Sequence, residues 1–158
     1  VDDEASLQQL VTAIIDVAER LPGIFPVHPR TRNKLENVGL LDSLQKNDKI
    51  FLIDPIGYID FMHLQQHATI VLTDSGGIQE ESTFFGVPCL TVRDNTERPI
   101  TTTLGTNKLI GIDYRRIPQE VDLVLAANSV KHTVPDLWDG KAANRISAII
   151  DDYFNNIL

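Results

Sequence analysis

Between the apolar run Thr69-Ile70-Val71-Leu72 and a helical pattern that starts at Ile78 stands Thr73-Asp74-Ser75-Gly76-Gly77. Adjacent glycines let the backbone come close to a ligand, and the helix start directs unpaired N–H groups and a positive dipole end outward. That is chemistry for a phosphate oxyanion. The same residues also suit a tight strand-to-helix turn in which Ser75 caps the helix. Glu80 and Glu81 follow in the first turn, where the dipole favours acids in any case. A carboxylate repels phosphate, so a ligand role for Glu81 means accepting hydrogen bonds from neutral donors such as the vicinal hydroxyls of a ribose. Arg98, in the run Arg93-Asp94-Asn95-Thr96-Glu97-Arg98-Pro99, offers a planar fork that holds oxyanions bidentately and stays protonated. A single loop arginine is also an ordinary surface residue. His28, in Pro26-Val27-His28-Pro29-Arg30, suits a donor to phosphate or an acid, and equally a structural residue at a strand end. Phosphate at Gly76 and Gly77, a counter-charge at Arg98 and hydroxyls at Glu81 together describe a nucleoside diphosphate.

Other reactive types read as packing or surface. Cys89, the only cysteine, lies inside an apolar run with no histidine nearby in sequence; it reads as core and not as a nucleophile, and it cannot form an internal disulfide, which suits a reducing compartment. His63 and His67 are four apart and share a helical face, but no third ligand accompanies them, and no metal site is expected among the four histidines. Fourteen Lys plus Arg against 22 Asp plus Glu give a net charge of -8, the wrong sign for neutralising a phosphate backbone, so nucleic acid is not an expected partner. No stretch reaches the roughly 18 apolar residues of a membrane helix. The start at Val1, without Met or a signal-peptide pattern, reads as a cut end, so the chain is expected to be a fragment.

The elements that must position these residues alternate. A helix is predicted over Ser6 to Leu21, with Leu7, Leu10, Val11, Ile14, Ile15 and Ala18 at helical spacing. Short apolar runs then start at Ile24, Ile50, Thr69 and Cys89, with a weaker one over Leu109 to Ile112; they are continuous rather than alternating, as strands covered on both faces are. Helices are predicted between them over Arg30 to Leu44, Tyr58 to His67 and Ile78 to Phe85, the last stopped by Gly86. Pro118 to Ala127 and Ala142 to Ile157 supply two more. With 158 residues and 42% hydrophobic content this is one domain, and the alternation predicts an α/β fold, a doubly wound parallel sheet that binds ligands beyond the carboxyl ends of its strands.

Thr73 to Glu81, with Gly86-Val87-Pro88, Arg93 to Pro99 and Gly105-Thr106-Asn107, resembles the UDP-N-acetylglucosamine 2-epimerases. The likeness extends back to Pro26-Val27-His28-Pro29-Arg30 and forward to Trp138-Asp139-Gly140-Lys141-Ala142, nearly the whole chain. It implies the C-terminal, Rossmann-like half of a glycosyltransferase-B-like enzyme, here residues 1–158, whose N-terminal half is absent and would carry the main acid/base carboxylates. It places the UDP against His28, Ser75, Gly76, Gly77, Glu81 and Arg98, gives His28 a candidate catalytic role, and alone picks out Phe61, as a backbone contact near the uracil. It implies interconversion of UDP-GlcNAc and UDP-ManNAc by UDP elimination and re-addition, with no cofactor. The implied setting is cytoplasmic, within a parent for which a homodimer is one arrangement, and the fragment alone is expected to be inactive. The readings kept beside it are a hydrolysing relative, a glycosyltransferase of the same fold, and a non-catalytic nucleotide-binding or signalling module.

Overall fold

The computed structural model describes residues 3–127 and 132–156. The first helix, α1 (Glu4–Ala18), starts at Asp3, whose carboxylate accepts from the Ser6 N–H at 2.9 Å. Strand β1 (Gly23–Pro26) leads to α2 (Pro29–Asn37), α3 (Leu41–Gln45) and β2 (Ile50–Ile53). The single helix predicted over Arg30 to Leu44 is therefore two. Gly39 separates them in the left-handed conformation (φ 71°), and Leu35 and Leu44 are both fully buried because the chain turns there. Then follow α4 (Tyr58–Gln66), β3 (Val71–Thr73), α5 (Gly76–Phe85) and β4 (Cys89–Thr91). Gly86 ends α5 at φ 73°, with the Val87 N–H returning to the Ser82 carbonyl, so the predicted stop is the observed one. A short helix that the sequence reading lacked, α6 (Pro99–Thr103), precedes β5 (Asn107–Leu109), and α7 (Ile117–Ala126) and α8 (Ala142–Asn155) complete the order.

The fold is α/β with parallel strands. β1 pairs with β2 in the register Gly23↔Ile50 to Pro26↔Ile53, and β3-β4-β5 form a second ladder that includes Val71↔Cys89 and Cys89↔Asn107. The single doubly wound sheet that was expected is present as these two pieces, with no ladder joining β1 to β3 among the described residues. β1 is four residues long and ends on Pro26, which has no N–H to donate. Continuity is carried by α1. Its Leu7, Val11 and Ala18 pack with Val27, Leu35, Leu44 and Ile50, while its Ala13 joins Leu90, Ile110, Ile117 and Val121. One amphipathic helix thus supplies apolar side chains to both cores, and the carboxyl ends of the strands stay free for loops.

β5 lies two residues earlier than its apolar pattern predicts, because polar Asn107 is the residue that pairs with Cys89. At the far side, Glu120 is 5% exposed and accepts from Arg116 Nη2 at 2.9 Å and from Lys108 Nζ. Those bonds, from Lys108 first, hold its carboxyl below the ordinary 4.5, so it contributes stability above about pH 4.5 that fades as pH falls through its lower folded-state value. Glu120→Gln is expected to lower stability at pH 7 by about 2 kcal/mol and to flatten the loss below pH 4.5. Chemical denaturation between pH 3 and pH 7 checks this: parallel curves for the two proteins would remove Glu120 from the acid response.

No helix of the described residues is long and apolar enough to cross a membrane. Among the described residues, apolar side chains stay uncovered at Ile24 and Phe51, each more than half exposed on the β1–β2 sheet, and along the stripe Ile146, Ile149, Ile150, Tyr153 and Phe154 on α8, a helix with no buried residue.

Candidate functional site

The turn before α5 is built as a donor surface. Ser75 occupies the position before the helix with an extended backbone (φ -87°, ψ 131°), yet its hydroxyl caps nothing, so the simple capping role is not the one it plays. Its own N–H is taken by Thr73 Oγ1 at 3.0 Å. The following amides head the helix, where no carbonyl one turn earlier can receive them. Gly76 and Gly77 have no positive φ, and beyond their chain neighbours and the helix's own backbone no atom lies within 4 Å of where a Cβ would stand. Nothing in the fold calls for glycine at either position. What the two glycines leave is open space at the head of the helix, where its first N–H groups have no carbonyl partner.

Glu81, one turn along α5, is fixed by α4. Tyr58 donates its hydroxyl to Oε1 at 3.1 Å and Gln65 its Nε2 to Oε2 at 2.7 Å. The carboxylate next to it pushes the Tyr58 phenol above its ordinary 10.0, chiefly through that hydrogen bond. Each Glu81 oxygen keeps a lone pair for another donor. Tyr58 is 61% exposed, and the residue of α4 that is buried is polar Gln65. Phe61 lies half-buried on the same helix, its N–H donated to the Gly57 carbonyl at 2.9 Å.

Arg98 comes to α5 from the other side. Its Nε stands 3.1 Å from Glu80 Oε1 in an ion pair that falls short of hydrogen-bond alignment, so this buried N–H has no acceptor; Nη1 reaches only the Glu97 carbonyl at 3.4 Å. A guanidinium with donors to spare therefore flanks the helix that begins at Gly76. His28 sits before α2 and accepts from the Arg30 N–H through Nδ1 at 3.3 Å, which assigns the proton to Nε2 and leaves that N–H as a donor. It is exposed, and no hydrogen bond or ion pair joins it to Arg98, Glu81 or the glycine turn among the described residues. The structure thus gathers Ser75, Gly76, Gly77, Glu81 and Arg98 around α5, with Phe61 on the neighbouring helix α4 and His28 at a separate strand end.

Sequence reasoning missed the polar residues beneath. Gln79, Thr91, Thr101 and Asn107 are all nearly or fully buried and hydrogen-bonded to one another or to the Arg98 loop. A polar residue inside an otherwise apolar pattern was the available signal. Cys89 is 1% exposed, and burial pushes its thiol up to about 11, so it is not a ready nucleophile. Asp139 of the Asp-Gly-Lys-Ala run accepts from the Lys141 N–H at 3.0 Å and from Arg145 Nη1 at 2.9 Å, a helix-start arrangement for α8. His63 and His67 are exposed with ring centroids 4.2 Å apart. No group of three or more His, Cys, Asp or Glu that could hold a metal occurs among the described residues.

The chain is 39% identical over 152 residues to the UDP-N-acetylglucosamine 2-epimerase of Methanocaldococcus jannaschii, covering 95% of this chain and 41% of that protein. The solved structure of the M. jannaschii UDP-GlcNAc 2-epimerase in complex with UDP-GlcNAc and UDP superposes with a TM-score of 0.84 at 38% identity, covering 96% of this chain and 42% of that one. A UDP-2,3-diacetamido-2,3-dideoxy-D-glucuronate 2-epimerase of Pseudomonas aeruginosa is 37% identical over 92% of this chain and 40% of its own length. The chain spans about two-fifths of these relatives. With the family model for UDP-N-acetylglucosamine 2-epimerase matching residues 1–151, the chain belongs to that family.

Proposed function

We propose that this chain is the UDP-binding domain of a UDP-N-acetylglucosamine 2-epimerase, and that the diphosphate rests on the N–H groups of Gly76 and Gly77. The observation that carries this is the open space at two glycines that the fold does not need, flanked by the Arg98 guanidinium, which is ion-paired to Glu80 on the same helix. Two of the similar proteins are named for different sugars but share the UDP portion, the part a site of this kind would hold.

In the proposed reaction the C2 proton leaves the sugar and the C1–O bond to the diphosphate breaks, giving a 2-acetamidoglucal and UDP. Re-addition of the diphosphate oxygen to C1, with a proton delivered to the other face of C2, gives UDP-ManNAc. This chain's share is the leaving group. Negative charge grows on the β-phosphate as C1–O breaks, and fixed N–H dipoles with the Arg98 guanidinium stabilise it without having to reorganise. Ser75 borders the same turn, the Nε2–H of His28 is placed as a further phosphate donor and candidate acid, Glu81 takes the ribose hydroxyls, and Phe61 lies toward the uracil. No cofactor takes part.

The groups that handle the C2 proton belong, on this reading, to an N-terminal domain that completes the cleft. The uncovered stripe from Ile146 to Phe154 supports a partner domain of that kind, since an apolar face of this size is ordinarily buried. A cytoplasmic setting suits both a nucleotide-sugar substrate and an unpaired Cys89.

Nuclear magnetic resonance titration of the purified chain tests the assignment. UDP is expected to bind with a dissociation constant of about 1 mM, shifting the Gly76 and Gly77 amides, while uridine leaves them in place. No turnover of UDP-GlcNAc by the chain alone is expected. Equal responses to UDP and uridine would sink the diphosphate site, and turnover by the isolated chain would sink the division of labour.

A further inference from the structure

A closed circuit of side chains runs beneath Arg98. Its N–H donates to Thr96 Oγ1 at 2.9 Å, and the Thr96 hydroxyl donates to Gln79 Oε1 at 2.6 Å. Asn107 Nδ2 donates to the same Gln79 oxygen at 3.0 Å and to Thr101 Oγ1 at 3.0 Å. The Thr101 hydroxyl returns to the Arg98 carbonyl at 2.7 Å, closing the ring. Thr91 donates to Asn107 Oδ1 at 2.6 Å and so orients that amide. Gln79, Thr91 and Thr101 have no exposed surface at all, and Asn107 has 5%.

Both backbone polar groups of Arg98 are used in this ring. The backbone there (φ -122°, ψ 56°) is neither helical nor extended; Arg98 immediately precedes α6, and its carbonyl also accepts from the Thr101 N–H at 3.0 Å. Gln79 lies on α5, the helix headed by Gly76 and Gly77, and Asn107 lies on β5. Two arms, through Thr96 and Thr101, tie the arginine to them.

We propose that Gln79 and Asn107 are positioning residues for nucleotide binding: through the Thr96 and Thr101 arms they fix the Arg98 backbone so that its guanidinium stays beside α5, in reach of a diphosphate on Gly76 and Gly77. This rests on the diphosphate reading above. The ring does not touch the ligand, and it acts on phosphate affinity through Arg98 alone. Burying so many polar groups stabilises one arrangement because each lost partner leaves a costly unpaired atom in a dry interior.

Thr96→Val and Thr101→Val each cut one arm with little change of shape. UDP titrations of the 158-residue chain, made on the wild type, on each variant, on Arg98→Ala and on the double variants, read the result. Each valine variant is expected to weaken UDP about fivefold and to leave the uridine response unchanged. Neither is expected to weaken UDP further once residue 98 is alanine, the non-additivity of residues that act as one unit. Thr96→Ser, which keeps the hydroxyl, is expected to bind as the wild type does. The proposal is overturned if either folded valine variant binds UDP normally, or if the losses persist in the Arg98→Ala background, as a merely structural ring would give. If either valine variant fails to fold, Thr96→Ala and Thr101→Ala take the same measurement. A normal UDP affinity for Arg98→Ala would remove the diphosphate reading at that residue itself, and the positioning role with it. That result is distinct from a ring that simply does not couple.

Discussion

Gly77→Ala raises the melting temperature and lowers the affinity for UDP at least tenfold. The two effects have opposite signs because the glycine answers to the ligand and not to the fold. Gly77 has an ordinary backbone and nothing within 4 Å of its missing Cβ, so alanine fits without strain. In a helix, alanine is better than glycine by about 0.5–1 kcal/mol, since glycine loses more chain entropy on folding. For a chain of this size that is a rise of roughly 2–3 °C. The methyl group then stands in the space through which a phosphate oxygen must come to within about 2.9 Å of the amide. Calorimetric unfolding and a UDP titration on the same preparation decide the matter. If alanine leaves UDP binding intact, the open space is incidental; if it destabilises the chain, the glycine belongs to the turn.

The parts of this site that were legible in the sequence are those that a short segment states by itself. Ser75-Gly76-Gly77 follows an apolar run and heads a helix, and no tertiary contact is needed to see N–H groups there. Gly86 ends α5 because glycine alone is comfortable at φ 73°. What could not be read depends on pairings across the chain. Tyr58 and Gln65 hold Glu81 over 23 and 16 positions, and Asn107 meets Gln79 over 28. Helical spacing carries nothing about the Tyr58 hydroxyl, which is drawn to a carboxylate on the next helix.

The fold was lost at its polar and threonine-rich joints for a related reason. Asn107 opens β5, a position that an apolar pattern assigns to Leu109, because its amide is satisfied inside the protein by Gln79, Thr101 and Thr91. Three threonines in Pro99–Thr103 speak for strand by propensity, yet Thr101, Thr102 and Thr103 turn their hydroxyls back to the carbonyls of Arg98, Pro99 and Ile100, and a helical turn results. Periodicity reports which face is apolar; it carries nothing about a polar group whose partner is distant. That is where Gln79 and Asn107, the residues beneath the site, lay hidden.

Gly105→Ala has the reverse outcome to Gly77→Ala, and it injures the site through the fold. A Cβ at position 105 would lie 2.3 Å from Thr83 Oγ1, 2.5 Å from Thr83 Cγ2 and 2.6 Å from the Thr101 carbonyl oxygen. Two of these atoms belong to a fully buried side chain and the third is backbone, so none can step aside as a surface chain would. Overpacking of this kind costs about 3 kcal/mol, a fall of roughly 10 °C in melting temperature for a domain of this length. Thr83→Ala in the same chain removes the first two clashes together with a buried hydroxyl that has no partner, so it recovers part of the loss. It cannot recover the rest, because the Thr101 carbonyl stays in place. Relief from that contact requires α6 to move, and Arg98 is the residue from which α6 starts, immediately before Pro99. Molecules of Gly105→Ala that remain folded are therefore expected to bind UDP less tightly, with the shortfall persisting after Thr83→Ala restores much of the stability. Melting curves and UDP titrations of the two variants separate these effects: a Gly105→Ala chain that melts with the wild type would show that the space beside Thr83 is not closed, and full recovery of both quantities by Thr83→Ala would show that α6 had not moved.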